Sequence, residues 1–128
     1  MKRRKFIEMT TLGTAAMASS LYIPSLQQDR KIRIGLIGAG WYGMVDINAA
    51  FKTGNVEVIG ICDVDSDRLN TNADAIAKLQ PERPKTFKYY KDLLDMKGLE
   101  AVFIASPPHW HALQFIAACE KGLSIYSE

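Results

Sequence analysis

Only two cysteines, Cys62 and Cys119, occur in the 128 residues. They form no CxxC pair and stand in no His/Cys spacing that would hold a metal. Both lie in apolar runs, one strand-like and one helix-like, and are expected to be small buried apolar residues rather than a disulfide. Charge of one sign is also missing, since 16 basic side chains face 14 acidic ones for a net charge of +2. Lys2, Arg3, Arg4, Lys5 and Arg30 all fall in the first thirty residues, which leaves the rest close to neutral. A nucleic-acid binder would show a basic face, and charge excludes a membrane-surface protein in the same way. The apolar stretch from Met9 to Ile23 falls short of the ~20 residues that span a bilayer and is broken by Thr and Ser. No internal repeat or low-complexity segment is present. What remains is a chain that is 48% apolar, of a length that suits one domain with a real core.

Residues 1–30 read as an address followed by a linker. Lys2-Arg3-Arg4-Lys5 precedes Phe6-Ile7 and a mildly apolar stretch rich in Ala, Thr and Gly. Within it, Ala16-Met17-Ala18 fits the small-x-small pattern that a signal peptidase accepts. The paired arginines resemble a twin-arginine export signal. Lys2 stands where Ser or Thr is usual, and Glu8 where Lys is usual. A periplasmic or otherwise exported protein is expected, with no stable membrane anchor; a basic tail or surface amphipathic helix is the plainer alternative. Such export carries folded proteins, so a cofactor can be loaded beforehand.

From Lys31 the pattern changes. Ile32, Ile34, Leu36 and Ile37 mark a strand entering a buried sheet. Residues 44–52 read as a short helix ended by Gly54, and Val56 to Cys62 as a second strand closed by Asp63. Asp67 to Leu79 is helical, and Pro81 and Pro84 then break the chain. Thr86-Phe87 suits a short third strand and Tyr90 to Met96 a short helix stopped by Gly98. Ala101 to Ala105 is a fourth strand, His109 to Lys121 a helix ended by Gly122, and Ser124 to Ser127 a fifth strand. Strands alternating with helices predict an α/β fold, a doubly wound parallel sheet of Rossmann type covering residues 31–128.

The loop between the first strand and helix reads Gly38-Ala39-Gly40-Trp41-Tyr42-Gly43. A GxGxxG alone says little, but this one follows an apolar strand and opens a helix, and Asp63 lies twenty residues past Gly43 at the end of the next strand. Gly38 permits the tight turn, Gly40 lets backbone N–H groups reach a pyrophosphate, and Gly43 lets the helix pack close to the strand. The pyrophosphate then meets the helix N-terminus. Asp63 accepts hydrogen bonds from the adenosine ribose and favours NAD, because a carboxylate there repels the 2′-phosphate of NADP. Arg68 is near enough in sequence to line the adenine or neutralise a phosphate, although an exposed helix arginine is the simpler account. Trp41 and Tyr42 are bulky for such a loop. Walling the dinucleotide, projecting towards a substrate and packing on other polypeptide all suit them.

The fourth strand runs into Ser106-Pro107-Pro108-His109-Trp110-His111. Ligands of open α/β sheets bind beyond the carboxyl ends of the strands, so Ser106 and the Pro107 backbone are candidates to touch the cofactor. His109 and His111 are candidates to reach the nicotinamide or substrate, where a near-neutral pKa suits proton transfer. A helix-cap or core role is the simpler account of either.

Taken together, Gly-Leu-Ile-Gly-Ala-Gly at 35–40, Cys-Asp-Val-Asp at 62–65, Ala-Ser-Pro-Pro-His-Trp-His at 105–111 and Ile-Tyr-Ser-Glu at 125–128 resemble the glucose–fructose oxidoreductase/inositol dehydrogenase/rhizopine-catabolism (Gfo/Idh/MocA) family. The resemblance implies an NAD- or NADP-binding domain, followed in members by a C-terminal α/β domain that carries much of the substrate site. Members act on sugars, cyclitols and related polyols by hydride transfer at the nicotinamide, often as homo-oligomers. It implies that Ser106, Pro107 and His111 border the nicotinamide side, with His111 as the catalytic candidate and Glu128 as the far wall. The family continues Glu-Lys-Pro, with a catalytic or substrate-positioning lysine, whereas here Glu128 is the last residue. The chain therefore looks like the front of a longer enzyme, inactive by itself. An NAD-dependent glycosidase of the same family and a non-catalytic nucleotide-binding fragment are the two alternatives.

Overall fold

A computed structural model describes residues 30–128; the expected signal and linker lie outside the described residues. Five strands form one parallel sheet: β1 (Ile32–Ile37), β2 (Val56–Cys62), β3 (Lys85–Phe87), β4 (Ala101–Ile104) and β5 (Ser124–Ser127). Their order is β3-β2-β1-β4-β5, so the first strand sits in the middle and the chain winds outward in both directions from it. Helices α1 (Trp41–Phe51) and α2 (Ser66–Ala77) cover one face, while α3 (Tyr90–Leu94) and α4 (Pro108–Glu120) cover the other. This is the expected doubly wound arrangement.

Side-chain alternation, reset in β2 by an irregularity that leaves Ile59 without a β1 partner, feeds two separate cores. Ile34, Leu36, Val58 and Ile61 meet Ile47 of α1 and Leu69, Ala73 and Ile76 of α2. Ile37, Cys62, Val102 and Ile104 meet Leu93 and Leu94 of α3 and Ala118 of α4. Gly35 and Gly60 leave room for α3: the Leu93 side chain lies 3.4 Å from where a Cβ of Gly35 would sit and 2.5 Å from that of Gly60. Between β2 and the short β3, the buried Gln80 amide replaces missing strand pairing. Its Oε1 accepts from the Val58 N–H at 2.9 Å, and its Nε2 donates to the Val58 carbonyl at 2.8 Å.

Three expectations need correction. Helix α1 begins at Trp41, three residues before the position read from the sequence, because the chain turns helical directly after extended Gly40 with no capping side chain to mark the start. Trp41 and Tyr42 are therefore first-turn helix residues and not loop residues. Cys119 is exposed, whereas Cys62 is buried as expected. The reason is the orientation of α4, which turns Gln114 and Ala118 inward and leaves Leu113, Phe115 and Ile116 at the surface. Among the described residues no helix is long and apolar enough to cross a membrane, and no group of His, Cys, Asp and Glu is placed to hold a metal ion.

The tightest packing is main chain against main chain. A Cβ on Gly43 would stand 2.1 Å from the Gly38 carbonyl oxygen, closer than any atom pair tolerates. Gly54 ends α1 at φ +74 with nothing near it. Gly43→Ala is expected to lower the urea-unfolding free energy by ~3 kcal/mol or more, and Gly54→Ala by only ~1 kcal/mol. Equal stabilities for the two variants would contradict the close approach of α1 to β1.

Candidate functional site

Because β1 lies between β2 and β4, the segments that follow these three strands converge at one end of the sheet. The Gly38 N–H donates to the Cys62 carbonyl at 2.9 Å, and the Ala105 N–H donates to the Ile37 carbonyl at 2.8 Å. Gly38 has φ +90, and a Cβ there would lie 2.7 Å from the Ala105 carbonyl and the Ser106 nitrogen. Gly38 and Gly43 are thus required by the fold itself. Gly40 is not. Its φ of −80 and ψ of −171 suit any residue, and the nearest atom to a Cβ would be the Arg68 Nη1 at 3.9 Å. The space over Gly40 is a cradle that a side chain would fill.

That cradle sits at the N-terminus of α1. The first N–H groups of a helix have no partner within it, and here neither a capping side chain nor a first-turn acid serves them. Helix α2 differs: its Asp65 carboxylate accepts from the N–H groups of Asp67 and Arg68, both at 3.1 Å. The uncapped end of α1 therefore keeps its partial positive charge available for an anion. Two α2 side chains complete the cradle. Asn72 Nδ2 donates to the Ala39 carbonyl at 2.6 Å, and since the carbonyl and N–H of a trans peptide point opposite ways, this aims the Gly40 N–H away from the bond. Arg68, held only loosely by Asp65 at 4.0 Å, brings its guanidinium over Gly40.

Beside the glycine loop, on the α3 and α4 side of the sheet, opens a groove of about 310 Å³. Its floor is Ile37, Gly38 and Cys62; Asp63 and Val64 form one wall, Lys88, Tyr89 and Tyr90 a second, and Ser106, Pro107, Trp110 and Gln114 a third. Asp63 Oδ1 accepts from the Asp65 N–H at 2.9 Å, which holds the carboxylate while its other oxygen has no hydrogen-bond partner among the described residues. Burial, and then the charges of Asp63 and Asp92, push the Cys62 thiol up to about 12, so it stays a neutral floor residue. The sequence alone did not mark Lys88, Tyr89, Tyr90, Trp110 or Gln114. Only the Trp110/Gln114 spacing of one helical turn offered a signal.

The side chains of the other expected site residues do not line the groove. The His111 Nε2 meets the Ser106 carbonyl, which can only accept, so the ring carries its proton there and leaves Nδ1 as its free acceptor. His109 stacks at a tilt against Trp110, ring centres 5.7 Å apart. Trp41 and Tyr42 pack edge to face at 5.6 Å and remain exposed. Glu128 stands on the α1 side of the sheet, outside the groove, and its Oε1 accepts from the Tyr126 hydroxyl at 2.7 Å. That bond, aided by desolvation, raises the Tyr126 phenol to about 12. Asp46 of α1 shares this corner. Its Oδ2 is buried without a hydrogen-bond partner among the described residues, and desolvation followed by the Glu128 charge raises its pKa.

Comparison with known proteins agrees with this geometry. Residues 32–128 match a family described as "Oxidoreductase family, NAD-binding Rossmann fold". A "Glycosyl hydrolase family 109 protein" of Stenotrophomonas maltophilia is 35% identical over 136 aligned positions, covering 100% of this chain and 29% of the relative. The crystal structure of the WlbA dehydrogenase from Bordetella pertussis, in complex with NADH and UDP-GlcNAcA, is 28% identical with a TM-score of 0.66, covering 77% of this chain and 28% of that one. The myo-inositol 2-dehydrogenase of Lactobacillus plantarum shares the fold, at 24% identity and a TM-score of 0.67, over 77% of this chain and 28% of its own. The chain thus spans between a quarter and a third of the length of these relatives.

The Asp46 corner yields a pH test. A carboxyl whose folded pKa lies above its ordinary 3.8 binds its proton more tightly when folded. Ionisation therefore opposes folding: the penalty is absent below pH 3.8 and complete above the folded pKa. Asp46→Asn should therefore raise Tm at pH 7. The gain should vanish near pH 3. A variant that melts below the parent at pH 7 would contradict the buried, unpartnered Oδ2.

Proposed function

The chain belongs to the Gfo/Idh/MocA oxidoreductase family, and on that premise we propose that it is the NAD-binding part of an exported enzyme acting on a sugar or polyol. One observation carries the cofactor assignment: Gly40 lacks a side chain for no reason internal to the fold, and it lies over an uncapped helix N-terminus. The N–H groups of Trp41, Tyr42 and Gly43 hold the pyrophosphate there, with the Arg68 guanidinium beside it. The free oxygen of Asp63 takes the adenosine ribose, which puts the base in the groove between Val64, Tyr89, Ser106, Pro107 and Trp110, so Ser106 and Pro107 border the base here and not the nicotinamide side that the resemblance implied. Gly38 supplies the turn that brings these walls together. The dinucleotide then runs across the end of β1 towards Tyr42, Tyr126 and Glu128 on the other face. His111 steadies the Ser106 turn through its Nε2, with Nδ1 left as a proton acceptor. Bound there, NAD supplies hydride acceptance and donation at its nicotinamide. The Asp63 carboxylate favours NAD over NADP.

A second reading has its own support. The relative aligned along 100% of this chain carries a glycosidase name, at 35% identity. In an NAD-dependent glycosidase the sugar is oxidised only transiently, so a bond is cleaved without net NADH. The gene product incubated with aryl glycosides and with free sugars separates the two: NADH accumulating with free sugars marks a dehydrogenase, and aryl release without NADH marks a glycosidase.

Export rests on Arg3-Arg4 ahead of a mild apolar stretch ending in Ala16-Met17-Ala18. Fractionation of the host should place the mature protein beyond the inner membrane with its N-terminus near Ser19. Changing both arginines to lysine should hold it in the cytoplasm. Cytoplasmic wild-type protein would end this part of the proposal.

For the cofactor, calorimetric titration of the chain with NAD should show saturable binding. Gly40→Val fills the cradle and should abolish it, with the melting curve unchanged because nothing in the fold crowds that position. Asp63→Ala should weaken NAD more than NADP. A Gly40→Val protein that binds like its parent would remove the glycine loop from the site.

A further inference from the structure

We propose that Gln114 determines which base the groove accepts: its Oε1 is engaged by the Ser106 hydroxyl, and its Nε2 offers a hydrogen to an acceptor nitrogen of the seated ring. The inference rests on the dinucleotide reading above and assigns a specificity residue within it.

Gln80 and Gln114 are the buried polar side chains among the described residues, and they differ in how they are satisfied. Both ends of the Gln80 amide are bonded to main chain. Gln114 is only 5% exposed, yet just one end is bonded: its Oε1 accepts from the Ser106 hydroxyl. No hydrogen bond within the described residues uses Nε2. Nor does Nε2 count among the sealed, unpartnered polar atoms, where Asp46 Oδ2 stands alone. Nε2 is therefore not sealed from solvent, and the groove is the open space that Gln114 lines. A buried amide can seldom leave its donors unused, so an occupant of the groove is the natural acceptor.

The orientation is held from behind. The backbone of Ser106 is anchored by His111 on its carbonyl and by the packing of Gly38 against its nitrogen, which sets the position from which its hydroxyl donates to Oε1. One turn before Gln114 on the same face, Trp110 lines the groove, with Tyr89 and Tyr90 across from it. Aromatic lining residues and a buried amide donor suit a planar heteroaromatic ring that carries an in-plane acceptor. Adenine presents N1, N3 and N7 as acceptors. Were the amide reversed, the groove would offer an oxygen instead and would favour a donor such as an amino group.

Gln114→Glu separates these cases, because a carboxylate still accepts from Ser106 but replaces the NH₂ with an oxygen. With the chain as parent, the variant should bind NAD and AMP at least about tenfold more weakly, as expected when a donor facing an acceptor is replaced by a second acceptor. Affinity for nicotinamide mononucleotide, which lacks the base, should be unaltered, while the carboxylate buried in place of the amide should lower Tm without ligand. Gln114→Met should show the same loss, which covers a Glu variant that fails to fold. Among 1-deaza, 3-deaza and 7-deaza AMP, one should bind parent and Gln114→Met alike, and as weakly as AMP binds the Met variant. Undiminished or tighter NAD binding by Gln114→Glu, or three deaza analogues that all match AMP on the parent, would overturn the role of Gln114 alone. A parent chain that binds neither NAD nor AMP would overturn the dinucleotide reading with it.

Discussion

Three stretches of main chain meet at the carboxyl end of β1 with no room for a side chain between them. Gly38 turns out of the strand beneath Ala105 and Ser106, and Gly43 brings the first turn of α1 down onto the Gly38 carbonyl. Everything else in the site depends on this crossing. It fixes the N-terminus of α1 over the sheet, brings the β2 and β4 segments to either side of it, and leaves Gly40 raised on the open side. Main-chain contact of this kind is stiff in a way that side-chain packing is not, because nothing in it can rotate away. The asymmetry among the glycines follows: two serve the fold, and the third serves what the fold presents.

The site then divides about the helix end. On the α3 and α4 face lies a groove with aromatic walls, a fixed carboxylate at Asp63 and one inward amide at Gln114. On the α1 face lies a polar corner of Asp46, Tyr126 and Glu128, where a phenol shields one carboxylate and another is left without a partner. The first suits recognition, since aromatic faces stand there beside a held carboxylate and a buried amide. The second gathers acidic groups that hold their protons unusually tightly. A ligand laid over Gly40 would join a place that selects to a place where protons can be held.

Much of this was legible in the sequence because it is governed locally. The apolar runs from Ile32 and Val56, the glycine spacing and the acid at Asp63 specify the strands, the turn and the order of β1, α1 and β2 without reference to the rest of the chain. Where the expectations failed, the missing information was tertiary. No capping side chain marks the start of α1, so Trp41 and Tyr42 read as loop. Helix α4 is mostly apolar all round, so its periodicity could not tell which side faces the sheet; the side that does carries Gln114, and Cys119 is left outside. Lys88 and Tyr89 entered the groove only because β3 pairs next to β2, a neighbourhood that three residues of strand do not announce. Glu128 was assigned to the nicotinamide wall by resemblance alone; the fold sets it outside the groove, beside Tyr126 and Asp46.

The central claim is that a dinucleotide spans this junction, phosphates on the α1 terminus and base in the groove. It is tested most directly by titrating the ¹⁵N-labelled chain with NAD and following each backbone amide by NMR. The account predicts saturable shifts at Gly40, Trp41, Tyr42 and Gly43, together with Val64, Trp110 and the Gln114 side-chain amide, while Gly54 and Gly122 stay fixed. Shifts confined to other surfaces, or a glycine loop that does not move at saturating NAD, would contradict it.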